Sequence, residues 1–203
     1  MYKNKVIIQI GSHIGNTRND PIFNKIDKTT TLILVEPVPY LFNQLKKNYK
    51  TKNIDNIIFI NKAVSNYIGY IELTIPSQKN DFSKLPFWAS QLASTNEEHC
   101  KTHIKDLITE KITVKTTTLN EIIKDHNIKE IELLHTDTEG NDYNILMSYN
   151  FIIKPCKILF EHKHMDGILK VGKKYEQLKL FLKEHNYKFK YKNEEDTMFE
   201  LQK

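Results

Sequence analysis

A short apolar run near the N-terminus, Val6–Ile10, constrains the fold most, because only Gln9 interrupts its branched aliphatic side chains. Such a run predicts a strand that is buried on both faces, as in a parallel sheet. The run ends at Gly11, and Gly15 follows four residues later. Glycine adopts positive φ and lets other groups approach its backbone closely, so the two glycines predict a ligand-binding turn after the strand.

Further apolar runs alternate with helical patterns along the chain, which predicts an α/β fold with a parallel sheet. A closing pair of short strands predicts an antiparallel hairpin at the C-terminal end. Residues 16–28 contain apolar side chains with the spacing of a short helical face. The predicted strands cover residues 6–10, 31–36, 57–60, 70–75, 112–116, 131–137, 157–161, 187–191 and 197–201, and the predicted helices cover 40–49, 119–126, 143–147 and 175–185.

Composition excludes several classes of protein. The chain has 203 residues, of which 39% are hydrophobic and 27% charged, and shows no repeat or linker, so we expect one domain over residues 1–203. The net charge of +5 comes from scattered lysines, and Arg18 is the single arginine. Because proteins that read nucleic acids favour arginine, the sequence argues against a nucleic-acid partner. Two cysteines, no signal-like start and no long apolar stretch predict a cytoplasmic protein without a membrane span.

Polar residues follow several of the predicted strands, where open parallel sheets bind their ligands. Glu36 follows the second strand and is placed to accept hydrogen bonds from both hydroxyls of a ribose, as in a nicotinamide cofactor or S-adenosylmethionine. Asn61 follows the third strand, and Asp137 and Glu139 follow the fourth. Neither the Gly-x-Gly-x-x-Gly fingerprint nor a P-loop is present, so a nucleoside without a pyrophosphate fits better.

The end of the fourth strand predicts the chemistry. Asp137 is the first candidate for orienting or deprotonating an acceptor hydroxyl, with His135 and His162 next, whereas a purely structural Asp137 would cap the following helix. Glu161 could join Asp137 and Glu139 in a divalent-metal site. Carboxylates often meet at neighbouring strand ends, however, so we assign no metal from the sequence.

The segment 76–111 lacks clear periodicity, which is more typical of a functional insertion or lid than of a plain connection. Phe82, Phe87 and Trp88 could stack on a sugar or a planar ring of the acceptor. The alternative is ordinary core packing.

Five motifs together resemble the FkbM family of S-adenosylmethionine-dependent methyltransferases over nearly the whole chain. They are residues 9–15, the Glu-Pro pair within 35–39, residues 61–65, the Asp-x-Glu-Gly of 137–140, and Phe160-Glu161. The resemblance implies a Rossmann-like class I methyltransferase fold with a mostly parallel seven-stranded sheet, a C-terminal antiparallel hairpin and helices on both faces. It also implies O-methylation of a sugar, glycan or other small-molecule hydroxyl.

The site residues follow from these motifs. We predict cofactor contacts from Gln9, Gly11, Ser12, His13, Gly15, Glu36, Pro37, Asn61, Ala63 and Asp137. We predict acceptor contacts from Trp88, Glu139 and Glu161.

The chain departs from the family pattern at two positions. Gln9 stands where members commonly carry an acid near the amino-acid end of the cofactor, and His135 stands where a lysine often precedes the aspartate by two residues. Because of these departures, a second hypothesis is a catalytically silent protein that still binds S-adenosylmethionine. The excess of basic residues suggests a third and weaker hypothesis, an RNA methyltransferase. The sequence predicts no oligomeric state.

Overall fold

The computed structural model describes residues 5–202. Its main sheet has seven strands, namely β1 (Val6–Ile10), β2 (Thr31–Val35), β3 (Asn56–Ile60), β7 (Leu133–Thr136), β8 (Lys157–Glu161), β9 (Tyr187–Lys192) and β10 (Asp196–Leu201). They lie in the order β3-β2-β1-β7-β8-β10-β9. β1 is parallel to both β2 and β7, and β10 is antiparallel to both β8 and β9. The predicted seven-stranded, mostly parallel sheet with a C-terminal hairpin is therefore confirmed.

Helices cover both faces of this sheet, as predicted. They are α1 (Pro39–Tyr49), α3 (Leu119–Asp125), α4 (Asp142–Met147) and α5 (Lys173–Glu184), whereas the short α2 (His99–His103) packs in a separate apolar cluster. The alternation of strand side chains explains the arrangement. Ile7 belongs to the cluster that contains Leu45 and Tyr49 of α1, whereas Ile8 belongs to the cluster that contains side chains of α3, α4 and α5.

A second, three-stranded sheet lies beside the first. It consists of β4 (Ala63–Val64), β5 (Gly69–Pro76) and β6 (Thr109–Thr117) in the order β4-β6-β5. The accessory strands predicted at 70–75 and 112–116 are its antiparallel pair. Val38 and Leu41 form one cluster with Leu73 and Ile75 of this sheet, so α1 connects the two sheets.

The helical face predicted within residues 16–28 is wrong. This stretch forms turns, because the Oδ1 atom of Asp20 accepts hydrogen bonds from the backbone N–H groups of Ile22 at 2.8 Å and Phe23 at 2.6 Å. A side chain that satisfies these donors competes with a helix. The apolar residues are buried all the same, since Ile22 is fully covered by the cluster that contains α1.

The connection between β5 and β6 contains local structure that the sequence pattern did not predict. Two 3₁₀ helices, Phe82–Lys84 and Ala89–Gln91, precede α2. A small apolar cluster of Leu92, Cys100 and Leu107 holds this connection together, and Trp88 packs against it. We call residues 77–108 the covering segment.

The loop after β1 depends on one close approach. Gly11 has φ +79°, and an added Cβ would lie 1.7 Å from the backbone oxygen of Asp137. The N–H groups of Gly11 and Ser12 both donate to the carbonyl of Val35 at 3.0 Å. The loop thus crosses the ends of β2 and β7 with no space for a side chain at Gly11.

We expect Gly11→Ala to lower the free energy of unfolding by more than about 2 kcal/mol, because it combines a left-handed backbone with a clash against main chain. Urea denaturation measures the loss. The matched control is Gly69→Ala, whose φ of 158° is also unfavourable for alanine but where an added Cβ meets nothing closer than 3.6 Å, so the loss should be smaller. Equal losses in the two variants would contradict this explanation.

Candidate cofactor and acceptor site

A cavity opens where the loops after β1, β2 and β7 meet, with β1 at the switch point of the sheet. Ligands bind at such points in open α/β sheets. The predicted residues that line it are Gln9, Gly11, Ser12, His13, Glu36, Pro37, Ala63, His135, Asp137 and Glu139. Two of the lining residues, His13 and Glu139, have left-handed backbones with φ of 47° and 52°. Strain of this kind is concentrated at functional sites.

Glu36 is a buried carboxylate held by main chain. Its Oε1 accepts the N–H of Val38 and its Oε2 accepts the N–H of His13, each at 2.8 Å. Burial raises the pKa of Glu36 to about 7, although these two hydrogen bonds act in the opposite direction. Each carboxylate oxygen keeps further acceptor capacity, so the group can bind ligand hydroxyls from the cavity.

Gln9 has a partner that the sequence did not reveal. Its Nε2 donates to Oδ2 of Asp20 at 2.9 Å, while its Oε1 has no hydrogen-bond partner within residues 5–202. Asp20 also lines the cavity, and burial raises its pKa. The turn after residue 16 therefore supplies a carboxyl group beside the position where Gln9 replaces an acid.

Asp137 and His135 lie at the end of β7. The backbone N–H of Asp137 donates to the carbonyl of Ile10, which fixes the position of the residue beside the β1 loop. Burial, followed by repulsion from Glu139, raises the pKa of Asp137 well above its usual value. Burial lowers the pKa of His135 to about 4, so its ring is neutral at pH 7.

The capping role considered for Asp137 is wrong, because the N-cap of α4 is Asn141, and its side chain makes no capping hydrogen bond. Oδ2 of Asp142 accepts both the N–H of Thr138 at 3.2 Å and its hydroxyl at 2.7 Å. Asp142 is fully buried and closes the turn that leads into α4. Asp137 is thus not needed for that turn and lines the cavity instead.

Three of the predicted catalytic and acceptor residues have surroundings other than the cavity. His162 contacts Thr197 through Nδ1 at 3.2 Å and packs its ring on Tyr175, and burial lowers its pKa to about 4. Glu161 is buried beside His164, with 3.5 Å between Oε1 and Nε2. Trp88 lies in the apolar cluster of the covering segment, with its ring edge toward His103.

Two predicted cofactor residues support the cavity from behind. An added Cβ on Gly15 would meet the ring of Tyr49 at 2.4 Å, so this glycine lets α1 pack closely. The side-chain amide of Asn61 donates to the carbonyls of Glu36 and Pro37 at 2.8 and 3.0 Å. Asn61 thus holds the turn that presents Glu36.

The covering segment forms one wall of the cavity through Gln91, Ala93 and Thr95. The hydroxyl of Ser90 lies 3.1 Å from Nε2 of His13, and the hydroxyl of Ser94 donates to the carbonyl of Glu139 at 2.9 Å. These polar contacts join the segment to both strained loops. No periodicity in the sequence indicates them, since each depends on the tertiary fold.

Together, the mostly parallel seven-stranded sheet and the cavity at its switch point define a class I methyltransferase. The family model described as "Methyltransferase FkbM domain" matches residues 9–189. The chain therefore belongs to the FkbM methyltransferase family, as predicted. Methyl transfer requires a methyl acceptor.

Solved structures share this fold at low sequence identity. FkbM methyltransferase from Methylobacillus flagellatus KT superposes with a TM-score of 0.55 at 11% identity, over 98% of this chain and 44% of that protein. Fibrillarin from Aeropyrum pernix, which was crystallised with natively bound S-adenosyl-L-methionine, gives 0.52 at 12% identity over 98% and 66%. Precorrin-6y C5,15-methyltransferase from Geobacter metallireducens GS-15 gives 0.50 at 9% over 98% and 80%. The chain thus spans less than half of the FkbM protein.

Among curated proteins, none is significantly similar in sequence to this chain. None of the helices between residues 5 and 202 is both long and apolar enough to cross a bilayer.

We expect Glu36 to make stability depend on pH. Its folded pKa of about 7 exceeds the usual 4.5, so the folded state retains a proton that the unfolded chain releases. The free energy of unfolding should therefore fall by about 3 kcal/mol from this group as pH rises from 4.5 to about 7, and no further above that range.

Glu36→Gln removes this titration while the other buried carboxyl groups remain. Urea denaturation at a series of pH values gives the difference in unfolding free energy between the two proteins. Between pH 4.5 and 7 the free energy of unfolding of the wild type should fall relative to that of the variant. A difference independent of pH would exclude the burial argument.

Proposed function

We propose that the protein is an O-methyltransferase that transfers the methyl group of S-adenosylmethionine to a hydroxyl of a sugar, glycan or other small molecule. The observation that carries this proposal is Asp137, a carboxyl group in the cavity whose pKa is raised toward the range of an effective general base. In the transfer, the acceptor oxygen bonds to the methyl carbon as the carbon–sulfur bond breaks. The electron pair goes to sulfur, and the hydroxyl proton goes to Asp137.

Different residues of the cavity bind different parts of the cofactor. Glu36 accepts hydrogen bonds from the ribose hydroxyls, because both of its oxygens are fixed by main-chain donors. The β1 loop at Gly11–His13 holds the amino-acid end, and Asp20 balances its ammonium group in place of the acid that Gln9 replaces. This division leaves Asp137 beside the sulfonium, whose positive charge favours the ionised carboxylate.

Holding the acceptor in line with the methyl group supplies most of the acceleration, since well-oriented reactants reach effective molarities of about 10⁵–10⁸ M. Gln91, Ala93 and Thr95 of the covering segment line the same cavity and are placed to select the acceptor. His135 is neutral and has an unpaired Nδ1 within the described residues, so it is a second polar group for orientation.

We expect Asp20→Asn to weaken binding of S-adenosylmethionine by about 10-fold or more, the effect of a charge-assisted hydrogen bond. Asparagine keeps an oxygen for the N–H groups of Ile22 and Phe23, so the turn should survive. Isothermal titration calorimetry measures the affinity. The control is Asp55→Asn, at an exposed position, which should bind as the wild type does. Equal affinity in both variants would remove Asp20 from the cofactor site.

We expect Asp137→Asn to lower the methylation rate by about 10²–10⁴-fold, the usual contribution of a positioned base. Its affinity for S-adenosylmethionine should change little, because the proton transfer belongs to the acceptor. The assay transfers labelled methyl groups to a panel of glycans and hydroxylated metabolites, and Asp125→Asn on the exposed side of α3 is the control. Undiminished turnover in Asp137→Asn would reject this assignment.

The catalytically silent alternative rests on Gln9, which cannot neutralise an ammonium group alone. It predicts that the wild type binds S-adenosylmethionine and methylates no acceptor of the panel. The pairing of Gln9 with Asp20 favours the active enzyme, because the missing charge is supplied from the neighbouring turn.

A further inference from the structure

Three imidazole rings meet behind the acceptor end of the cavity. The ring centroids of His99 and His164 are 4.6 Å apart, those of His99 and His103 are 4.8 Å apart, and those of His103 and His164 are 5.1 Å apart. One potential ligand atom from each ring lies within 4.8 Å of the other two, and the same holds for Glu139, Glu161 and His164. His164 therefore belongs to two overlapping sets of groups that can bind a cation.

His99 and His103 are four residues apart on α2 and share one face of that helix. This spacing brings two imidazoles to one metal ion in helical metal sites. The sequence analysis gave neither residue a role, because α2 itself was not predicted. The apolar cluster around Cys100 places this helix against the loop that contains Glu139.

Several polar atoms in the cluster lack hydrogen bonds although they are buried. Within residues 5–202, Nε2 of His99, Nε2 of His103, Oε2 of Glu139 and Oε2 of Glu161 have no hydrogen-bond partner. Nε2 of His99 and Oε2 of Glu139 are only 2.8 Å apart, yet their directions do not form a hydrogen bond. His99 is 1% exposed, so water does not compensate for these atoms from the surface.

His164 has a different part in the cluster. Its Nδ1 accepts the backbone N–H of Leu169 at 3.0 Å, so the proton of the neutral ring is on Nε2. That nitrogen lies 3.6 Å from Oε2 of Glu139 and 3.5 Å from Oε1 of Glu161. His164 is thus positioned to orient the carboxylates, which is a usual role for a group next to a metal ligand.

We propose that His99 and His103, through their Nε2 atoms, and Glu139, through its carboxylate, bind one divalent transition-metal ion of the zinc type, with His164 as a positioning residue. Ligand atoms at about 2.0–2.2 Å from one ion lie about 3–3.5 Å from each other. Nε2 of His99 and Oε2 of Glu139 are close to this spacing at 2.8 Å, whereas the histidine atoms lie within 4.8 Å of one another, so metal binding requires the His103 ring to move toward His99. Imidazole nitrogens favour transition metals, whereas Mg²⁺ and Ca²⁺ favour oxygen ligands.

Two histidines and one carboxylate leave a coordination position open for water or substrate. Glu139 also lines the cavity, so an ion bound to it lies beside the acceptor end. There the ion would lower the pKa of a coordinated acceptor hydroxyl. This consequence rests on the proposed function, whereas metal binding itself does not.

The test is metal binding by the full chain without a polyhistidine tag and after removal of metal with a chelator. Calorimetric titration with Zn²⁺ should show one saturable site per chain, and Co²⁺ should give the visible absorption of a site with nitrogen and oxygen ligands. His103→Asn should weaken Zn²⁺ binding at least 10-fold, since it removes one ligand at a partly exposed position. The matched control is His126→Asn, an exposed histidine outside the cluster, which should bind as the wild type does.

His99→Gln provides a second variant, with circular dichroism as a check that the buried substitution still folds. Absence of saturable Zn²⁺ binding in the wild type, or equal affinities in His103→Asn and His126→Asn, would overturn the proposal. Because neither S-adenosylmethionine nor an acceptor is present, failure here is separate from failure of the proposed methyl transfer.

Discussion

The close approach between the backbone of Gly11 and the carbonyl of Asp137 determines how the carboxyl edge of the sheet is built. β1 lies between β2 and β7, so the loop that follows it must pass over the ends of both neighbours. With no side chain at Gly11, this loop can donate two N–H groups to Val35 and a third, from His13, to Glu36. The cavity, the hydrogen-bonded carboxylate of Glu36 and the position of Asp137 all depend on this path of the loop.

Burial of several carboxyl groups gives this edge its chemical character. Main-chain donors compensate Glu36, and Thr138 compensates Asp142. Asp137, Glu139 and Glu161 have less compensation, and mutual repulsion adds to the burial that raises the pKa values of Asp137 and Glu161. An uncompensated buried charge is costly, so such a group stays protonated or binds a cation. A sulfonium group and a metal ion are cations that suit this environment.

The sequence predicted the main sheet well because its central strands β1, β2, β7 and β8 are buried on both faces and their apolar runs are unambiguous. Most of the cofactor residues that it predicted line the cavity, since strand ends in a parallel sheet converge at one edge. It did not predict α2, which has only five residues and depends on tertiary contacts around Cys100. Nor did it pair Gln9 with Asp20, because an irregular turn, which the pattern misread as helical, brings them together.

Hydrogen bonds join the covering segment to the β1 loop through Ser90 and to the β7 loop through Ser94. It also contributes Gln91 and Thr95 to the cavity wall, and it contains α2, whose His99 contacts Glu139. Ligand binding in the cavity and the position of α2 are consequently linked. If a ligand in the cavity strengthens the binding of a second ligand at α2 by some factor, the second ligand strengthens binding in the cavity by that same factor.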